Sequence, residues 1–233
     1  MKTLKKFLPE TIYSKLVEDY NHNFFDYSTK TYSQEGEDLI LKKIFYGKDN
    51  GFYIDIGAHH PKRFSNTYSF YKKGWRGINI EARPGSKALF DKIRPQDLNI
   101  EKAISSKPQQ LKYYMYNDPA LNGFSEENVL KFQDHKKYKI IDTRIILTNR
   151  LDSILKEVLP ENQLIDFMSV DVEGLDYDVL KSNDWNLFRP TIILVEDPNY
   201  DFQNGSEISV FLELNNYKIF AKTFNTCFYS LIS

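Results

Sequence analysis

Asp55 lies near the end of the apolar run FYIDI and is followed by Gly57 and Ala58. Twenty-six residues after Asp55, a second apolar run, WRGINIE, ends in Glu81. In an open α/β sheet, ligands bind beyond the carboxyl ends of the strands, and a glycine after the first strand lets backbone N–H groups approach the ligand. An acid at this spacing suits a ribose, because one carboxylate accepts from both hydroxyls. The dinucleotide pattern G-x-G-x-x-G is missing, since Gly57 is followed by Ala58, His59, His60 and Pro61. One glycine makes no pyrophosphate cradle, so the pattern favours adenosine without a diphosphate, and hence S-adenosylmethionine over NAD.

A second group of residues could handle a proton. The run SVDVEG places Asp171 and Glu173 at the carboxyl edge of a later strand, with Gly174 allowing a tight turn, and their alternation aims both acids the same way if the strand persists. Glu196 and Asp197 end the neighbouring run TIILVE, so up to four carboxyl groups could converge. Two uses compete: one acid with a raised pKa acts as general base, or a pair holds Mg²⁺ or Mn²⁺, which lowers the pKa of a hydroxyl. Helix capping in solvent is the plain alternative. His60, beside His59, follows the glycine turn and is a third catalytic candidate, set against an ordinary packing role. Asn66 and Thr67, with Ser65, open the next helix, where they either bind the methionine carboxylate or simply cap. Gln34, with Glu37, either lines the methionyl end or belongs to a capping-box variant.

These residues need a scaffold, and the periodicity supplies one. Residues 1–32 read as a helical extension rich in Tyr and Phe, and residues 33–233 as one α/β domain. Ser33 is expected to N-cap a helix whose apolar face is Leu39, Ile40, Ile44 and Phe45. The strand at 52–56, a helix over 66–73, the strand 77–81, a helix over 84–93 and the strand LNIEKAI then form βαβαβ, the first half of a doubly wound sheet. Residues 105–138 interrupt it with one strand, QLKYYMY, and a weakly periodic segment that either contacts substrate or is a surface excursion. Alternation resumes from KIIDTRIILT to TIILVE, and YKIFAKT with TCFYSLI reads as a closing antiparallel pair.

Composition excludes several classes. With 31 basic and 32 acidic residues and a net charge of −1, no electrostatic footprint for nucleic acid exists. The only cysteine, Cys227, rules out a disulfide framework and a cysteine-based zinc site and fits a reducing, cytosolic setting. No run is long enough for a signal peptide or a membrane span, and the basic start with Leu4, Phe7 and Leu8 reads as a packing arm sooner than a membrane contact.

Together, SQEGEDL at Ser33, FYIDIGAHHP at Phe52, SNTYSFYKKGWRGINIEARP at Ser65 and FMSVDVEGLDYDVL at Phe167 resemble the FkbM family of S-adenosylmethionine-dependent methyltransferases over about residues 32–196. The resemblance implies a class I methyltransferase sheet of seven strands with an antiparallel last strand. It also implies O-methylation, often of sugars, macrolides or surface glycans. By position it carries Asp55, Gly57 and Ala58 onto the first cofactor motif, Glu81 onto the ribose acid, and the strand end around Ala103 onto the adenine side. Ala82-Arg83-Pro84 departs from the pattern, which has proline directly after the ribose acid. Two function classes stand at this point. One is an O-methyltransferase acting on a carbohydrate hydroxyl, such as a nucleotide-linked sugar or capsule or lipopolysaccharide precursor. The other is a noncatalytic carbohydrate-binding or scaffold protein on the same fold.

Overall fold

A computed structural model describes residues 8–24, 26–132 and 134–232. The expectation for Leu4 and Phe7 therefore lies outside the described residues. The chain divides into two compact units, Met1–Lys30 and Thr31–Ser233. In the first, the helix α1 (Glu10–Phe24) buries none of its residues and stacks Tyr20 on Phe24.

The second unit is built on a seven-stranded sheet. Its strands are β1 (Phe52–Ile56), β2 (Arg76–Glu81), β3 (Leu98–Glu101), β7 (Phe167–Val170), β8 (Ile192–Glu196), β9 (Tyr217–Lys222) and β10 (Thr226–Leu231). They lie in the order β3-β2-β1-β7-β8-β10-β9, with β10 antiparallel to both neighbours and the others parallel. This is the class I methyltransferase arrangement. The central strands are mostly apolar because both faces are covered, with Asp55, Asn79 and Ser169 as buried polar exceptions. Alternate residues divide between two cores: Tyr53, Phe167, Leu194 and Phe228 pack with Leu41, Phe70 and Trp75 on one face, while Ile54, Met168, Val195 and Tyr229 pack with Leu151, Leu155 and Leu180 on the other.

The helices around the sheet are α2 (Glu37–Ile44), α3 (Tyr68–Tyr71), α4 (Ser86–Ile93), α6 (Leu151–Val158), α7 (Asp176–Lys181) and α8 (Glu207–Leu214). α2 starts four residues later than its expected cap at Ser33, because Gly36 adopts a left-handed conformation with φ 90° immediately before it. Ser33 still contributes, since its hydroxyl accepts the Asp38 N–H. The run LNIEKAI is divided. Leu98–Glu101 joins the main sheet, whereas β4 (Ala103–Ile104) pairs with β6 (Ile140–Asn149) in a separate three-stranded sheet with β5 (Gln110–Tyr116). Between β5 and β6 come a 3-10 turn at Pro119–Leu121 and the helix α5 (Glu126–Phe132). The 105–138 interruption is thus a hairpin whose loop folds back, with Gly123 bridging Tyr114.

Candidate active site

The carboxyl ends of β1, β2 and β7 frame a cleft closed on its far side by the β5–β6 loop. It encloses about 760 Å³ when the open solvent at its mouth is counted. Gly57 stands at its base with φ +78°, and a Cβ there would lie 1.6 Å from the Asp171 carbonyl oxygen, so no other residue allows β1 to turn this close to β7. The Gly57 and Ala58 N–H groups both donate to the Ile80 carbonyl, at 2.9 and 3.1 Å. They are therefore spent on β2 instead of being free for a ligand, and Ala58 is buried.

Glu81 is buried and lines the cleft. Its Oε2 accepts the His59 N–H at 2.7 Å and its Oε1 the Arg83 N–H at 2.8 Å. Burial raises its pKa, and these two donors oppose the rise. Each oxygen keeps a lone pair for a further donor. His59 and Arg83 are thereby drawn to either side of Glu81, and each carries a buried nitrogen, Nε2 and Nε respectively, with no protein partner. Burial and the charges of Arg63, His60 and Arg83 push the His59 pKa down to about 4, so the imidazole is neutral at pH 7.

The structure separates the other expected residues. Gln34 reaches the cleft. His60 does not line it; its Nδ1 accepts the N–H groups of Lys62 and Arg63 at 3.0 Å each, a turn-closing role. Asp55 is buried and turned from the cleft, accepting the Thr67 hydroxyl at 2.5 Å. Thr67 also accepts from Arg94 Nη1 at 2.9 Å, and the Asn66 amide donates to Ser169 Oγ at 3.0 Å. These three side chains are thus occupied by protein partners. Ala103 is buried while its neighbours Lys102 and Ile104 line the cleft, as strand alternation requires.

Asp171 and Glu173 also line the cleft, and with Glu196 each brings a carboxylate oxygen within 4.8 Å of the others. The convergence has a different origin from simple alternation: β7 ends at Val170, and Glu173 turns back with φ 55°. Asp176 holds that turn, accepting the Val172 and Gly174 N–H groups at 3.0 and 3.2 Å. Asp197 does not join the cluster; it faces Ser206, at the N-cap of α8. Burial and mutual repulsion raise all three members. Asp171 moves well above its ordinary range through burial and the charges of Glu196 and Glu173. Glu173 rises to about 8 through burial, Glu196 and Asp176, and Glu196 to about 7 through burial and Asp176. At neutral pH the trio therefore shares protons as one unit. The neighbouring wall comes from β5 and its loop: Tyr113 of β5 with Asn122 and Phe124 of the loop line the cleft, and Gly123 packs so closely that a Cβ there would lie 2.6 Å from the Glu173 Cβ. Arg83 and Asp176 lie inside the runs that resemble the family but have no role there from sequence, and Tyr113 carries no motif signal at all.

The family model for the methyltransferase FkbM domain matches residues 55–219. The chain belongs to the FkbM methyltransferase family. It is an S-adenosylmethionine-dependent methyltransferase. A search of curated proteins finds no significant match. Similar solved structures include a TehB-like SAM-dependent methyltransferase from Corynebacterium glutamicum, with 8% identity, a TM-score of 0.44, and 95% of this chain and 97% of that one covered. A methyltransferase from Geobacter sulfurreducens has 10% identity and a TM-score of 0.46, covering 99% and 94%. An O-methyltransferase from Bacillus cereus in complex with SAH has 11% identity and a TM-score of 0.40, covering 97% and 93%. Family membership rests on the match over 55–219.

Proposed function

We propose that this FkbM methyltransferase transfers the methyl group of S-adenosylmethionine to a hydroxyl of a sugar, in a nucleotide-linked or glycan-precursor form. Glu81 takes the ribose diol, and the unpartnered nitrogens of His59 and Arg83 supply donors beside it. The observation that carries the reading is the carboxyl trio, two of whose members, Asp171 and Glu173, line the same cleft as Glu81. Transfer from a sulfonium is an in-line displacement, so the enzyme must align oxygen, methyl and sulfur and take one proton from the acceptor. A carboxylate with ordinary acidity is a feeble base at pH 7. Glu173 near 8 and Glu196 near 7 are matched to the task.

In this reading the acceptor hydroxyl donates its proton to Glu173 or Asp171, the methyl group passes from sulfur to oxygen, and S-adenosylhomocysteine leaves with the sulfur's electron pair. The same three oxygens fit a hard divalent cation, which would be held by Asp171, Glu173 and Glu196 and would acidify the hydroxyl. Activity lost in EDTA and restored by Mg²⁺ or Mn²⁺ favours that route; indifference to EDTA leaves the carboxylate alone. The single cysteine, Cys227, fits a reducing, cytosolic setting, and among the described residues no helix is long and apolar enough to cross a membrane.

The test is incubation with labelled S-adenosylmethionine and a panel of nucleotide sugars. Label transferred to a sugar hydroxyl is the expected result. Saturable cofactor binding with no transfer to any member would reject the sugar reading and favour a noncatalytic carbohydrate-binding role or a different acceptor.

A further inference from the structure

The strand β6 spans ten residues, and seven of them read Ile140-Ile141-Asp142-Thr143-Arg144-Ile145-Ile146. In its apolar and polar pattern this run is the same from either end, with opposite charges flanking a central threonine. β5 covers one edge, pairing Tyr114 with Thr143, Lys112 with Ile145 and Gln110 with Leu147. Tyr114 turns its own N–H and carbonyl to Gly123. The pair with Thr143 is therefore a non-hydrogen-bonded one, and the peptide groups of Thr143, and by the period of two those of Ile145 and Leu147, point to the opposite edge. β4 takes that edge only at Thr148 and Asn149. Among the described residues no strand pairs it from Ile140 to Leu147.

The free edge is also apolar. Ile141, Ile145 and Leu147 are 66%, 64% and 59% exposed, and the register shift opposite Tyr116 leaves Ile141 without a β5 partner. Thr143 N–H is occupied only locally, by Asp142 Oδ1 at 2.8 Å, and Arg144 Nε bonds Asp142 Oδ2 at 2.8 Å. Both are exposed contacts that a neighbouring strand can replace in kind. A long apolar strand with an open row of peptide groups is a template for another strand.

We propose that this edge is a self-association surface, on which β6 of a second copy of the chain pairs antiparallel about Thr143. Two three-stranded sheets then join into one of six strands, around a two-fold axis. Thr143 faces its equivalent, and their outward peptide groups exchange both hydrogen bonds. Asp142 faces Arg144 of the second copy and Arg144 its Asp142, while Ile145 lies against Ile141 at the register shift, where the regular pairing ends. Charge selects this register: a two-fold centred on residue 142 sets Asp142 against Asp142, and one centred on residue 144 sets Arg144 against Arg144. The occupant is a second copy, and not an unrelated strand, because the run complements itself. One short strand pair with a small apolar stripe makes a reversible, concentration-dependent dimer and not an obligate one.

Sedimentation velocity over a concentration series of the full chain tests this. The native protein should show a monomer–dimer equilibrium. Asp142→Arg sets arginine against arginine, Arg144→Asp sets aspartate against aspartate, and each should weaken the dimer by about tenfold or more because two symmetric pairs are reversed. The double variant Asp142→Arg with Arg144→Asp restores both pairs and should return to within about threefold of native. Thr143→Pro removes an amide that faces away from β5, so it should yield a monomer whose thermal midpoint stays near native. A monomer at every accessible concentration overturns the proposal, as does capture of a foreign strand by a chain that stays monomeric. So does a dimer indifferent to these substitutions, or a double variant that fails to recover.

Discussion

Two clusters of buried charge lie at opposite edges of the same sheet, one on β1 and β2 and the other beyond β7 and β8, and they are finished in opposite ways. At the amino ends, Asp97 accepts from Tyr53 Oη at 2.7 Å, Arg94 Nε at 2.8 Å, Asn79 Nδ2 at 3.0 Å and the Gly77 N–H at 3.1 Å. Arg94, fully buried, also donates to Thr67 and Tyr53. At the carboxyl ends, the three acids Asp171, Glu173 and Glu196 face one another with no cation bonded to them among the described residues; the Asn128 amide donates to Glu173 at 3.4 Å. A buried charge with every lone pair and proton matched ties elements together. Buried acids left against like charges store a high proton affinity that a substrate can use. Asp55 stands between the two, hydrogen-bonded through Thr67 to Arg94, and so belongs to the matched cluster despite its place in the cofactor motif.

Breaking the matched cluster should have the largest effect. Arg94→Met leaves Asp97 buried without its cation and should cost about 3–5 kcal/mol of stability in urea denaturation. A loss below about 1 kcal/mol would show that the cluster is dispensable. The unmatched cluster should respond in activity instead. Asp171→Asn and Glu173→Gln keep shape but lose basicity, and turnover with labelled cofactor should drop about a hundredfold or more while cofactor affinity stays within a few-fold. Turnover near native in both would make the acidic edge structural and shift attention to His59.

Glu81→Ala tests the adenosine end. It removes a carboxylate suited to two charge-assisted hydrogen bonds, and calorimetry should show cofactor affinity reduced about tenfold or more. Unchanged affinity would take Glu81 out of the site.

The smallest effect sharpens the comparison through pH. Glu173 rises from 4.5 to about 8, so between these values the native protein holds a proton that the unfolded chain has released. Stability should therefore fall as pH rises through that window, while turnover should rise as the trio loses its proton. Glu173→Gln should flatten the stability decline, read as denaturation midpoints at about pH 5 and about pH 8.5. Equal slopes in the two proteins would mean that Glu173 is not buried as a neutral acid.

Much of this was legible in the linear chain. Strand 52–56 and the closing antiparallel pair β9–β10 fall where periodicity put them, because an apolar run bounded by turn residues has few alternatives. The acids Glu81, Asp171, Glu173 and Glu196 were visible as strand ends. What failed was direction. His59 and His60 are adjacent and alike in sequence, yet the positive φ of His59, 52°, sends one along the cleft wall and leaves the other closing a turn. Glu196 and Asp197 are likewise neighbours on β8 and its exit, and they point to different sides.

By itself the sequence determined the strands, their apolar faces, the absence of a pyrophosphate cradle and the family, all of which depend on residues near one another in the chain. The tertiary structure alone decided that Asp55 is satisfied by Thr67, that Asp176 folds Glu173 back toward Glu196, and that a hairpin loop some fifty residues upstream packs Gly123 against Glu173. Hydrogen-bond partners and like-charge contacts between distant segments set those outcomes. Whether a carboxylate is an anchor or a base depends on what is packed against it, and side-chain spacing along one strand does not record that.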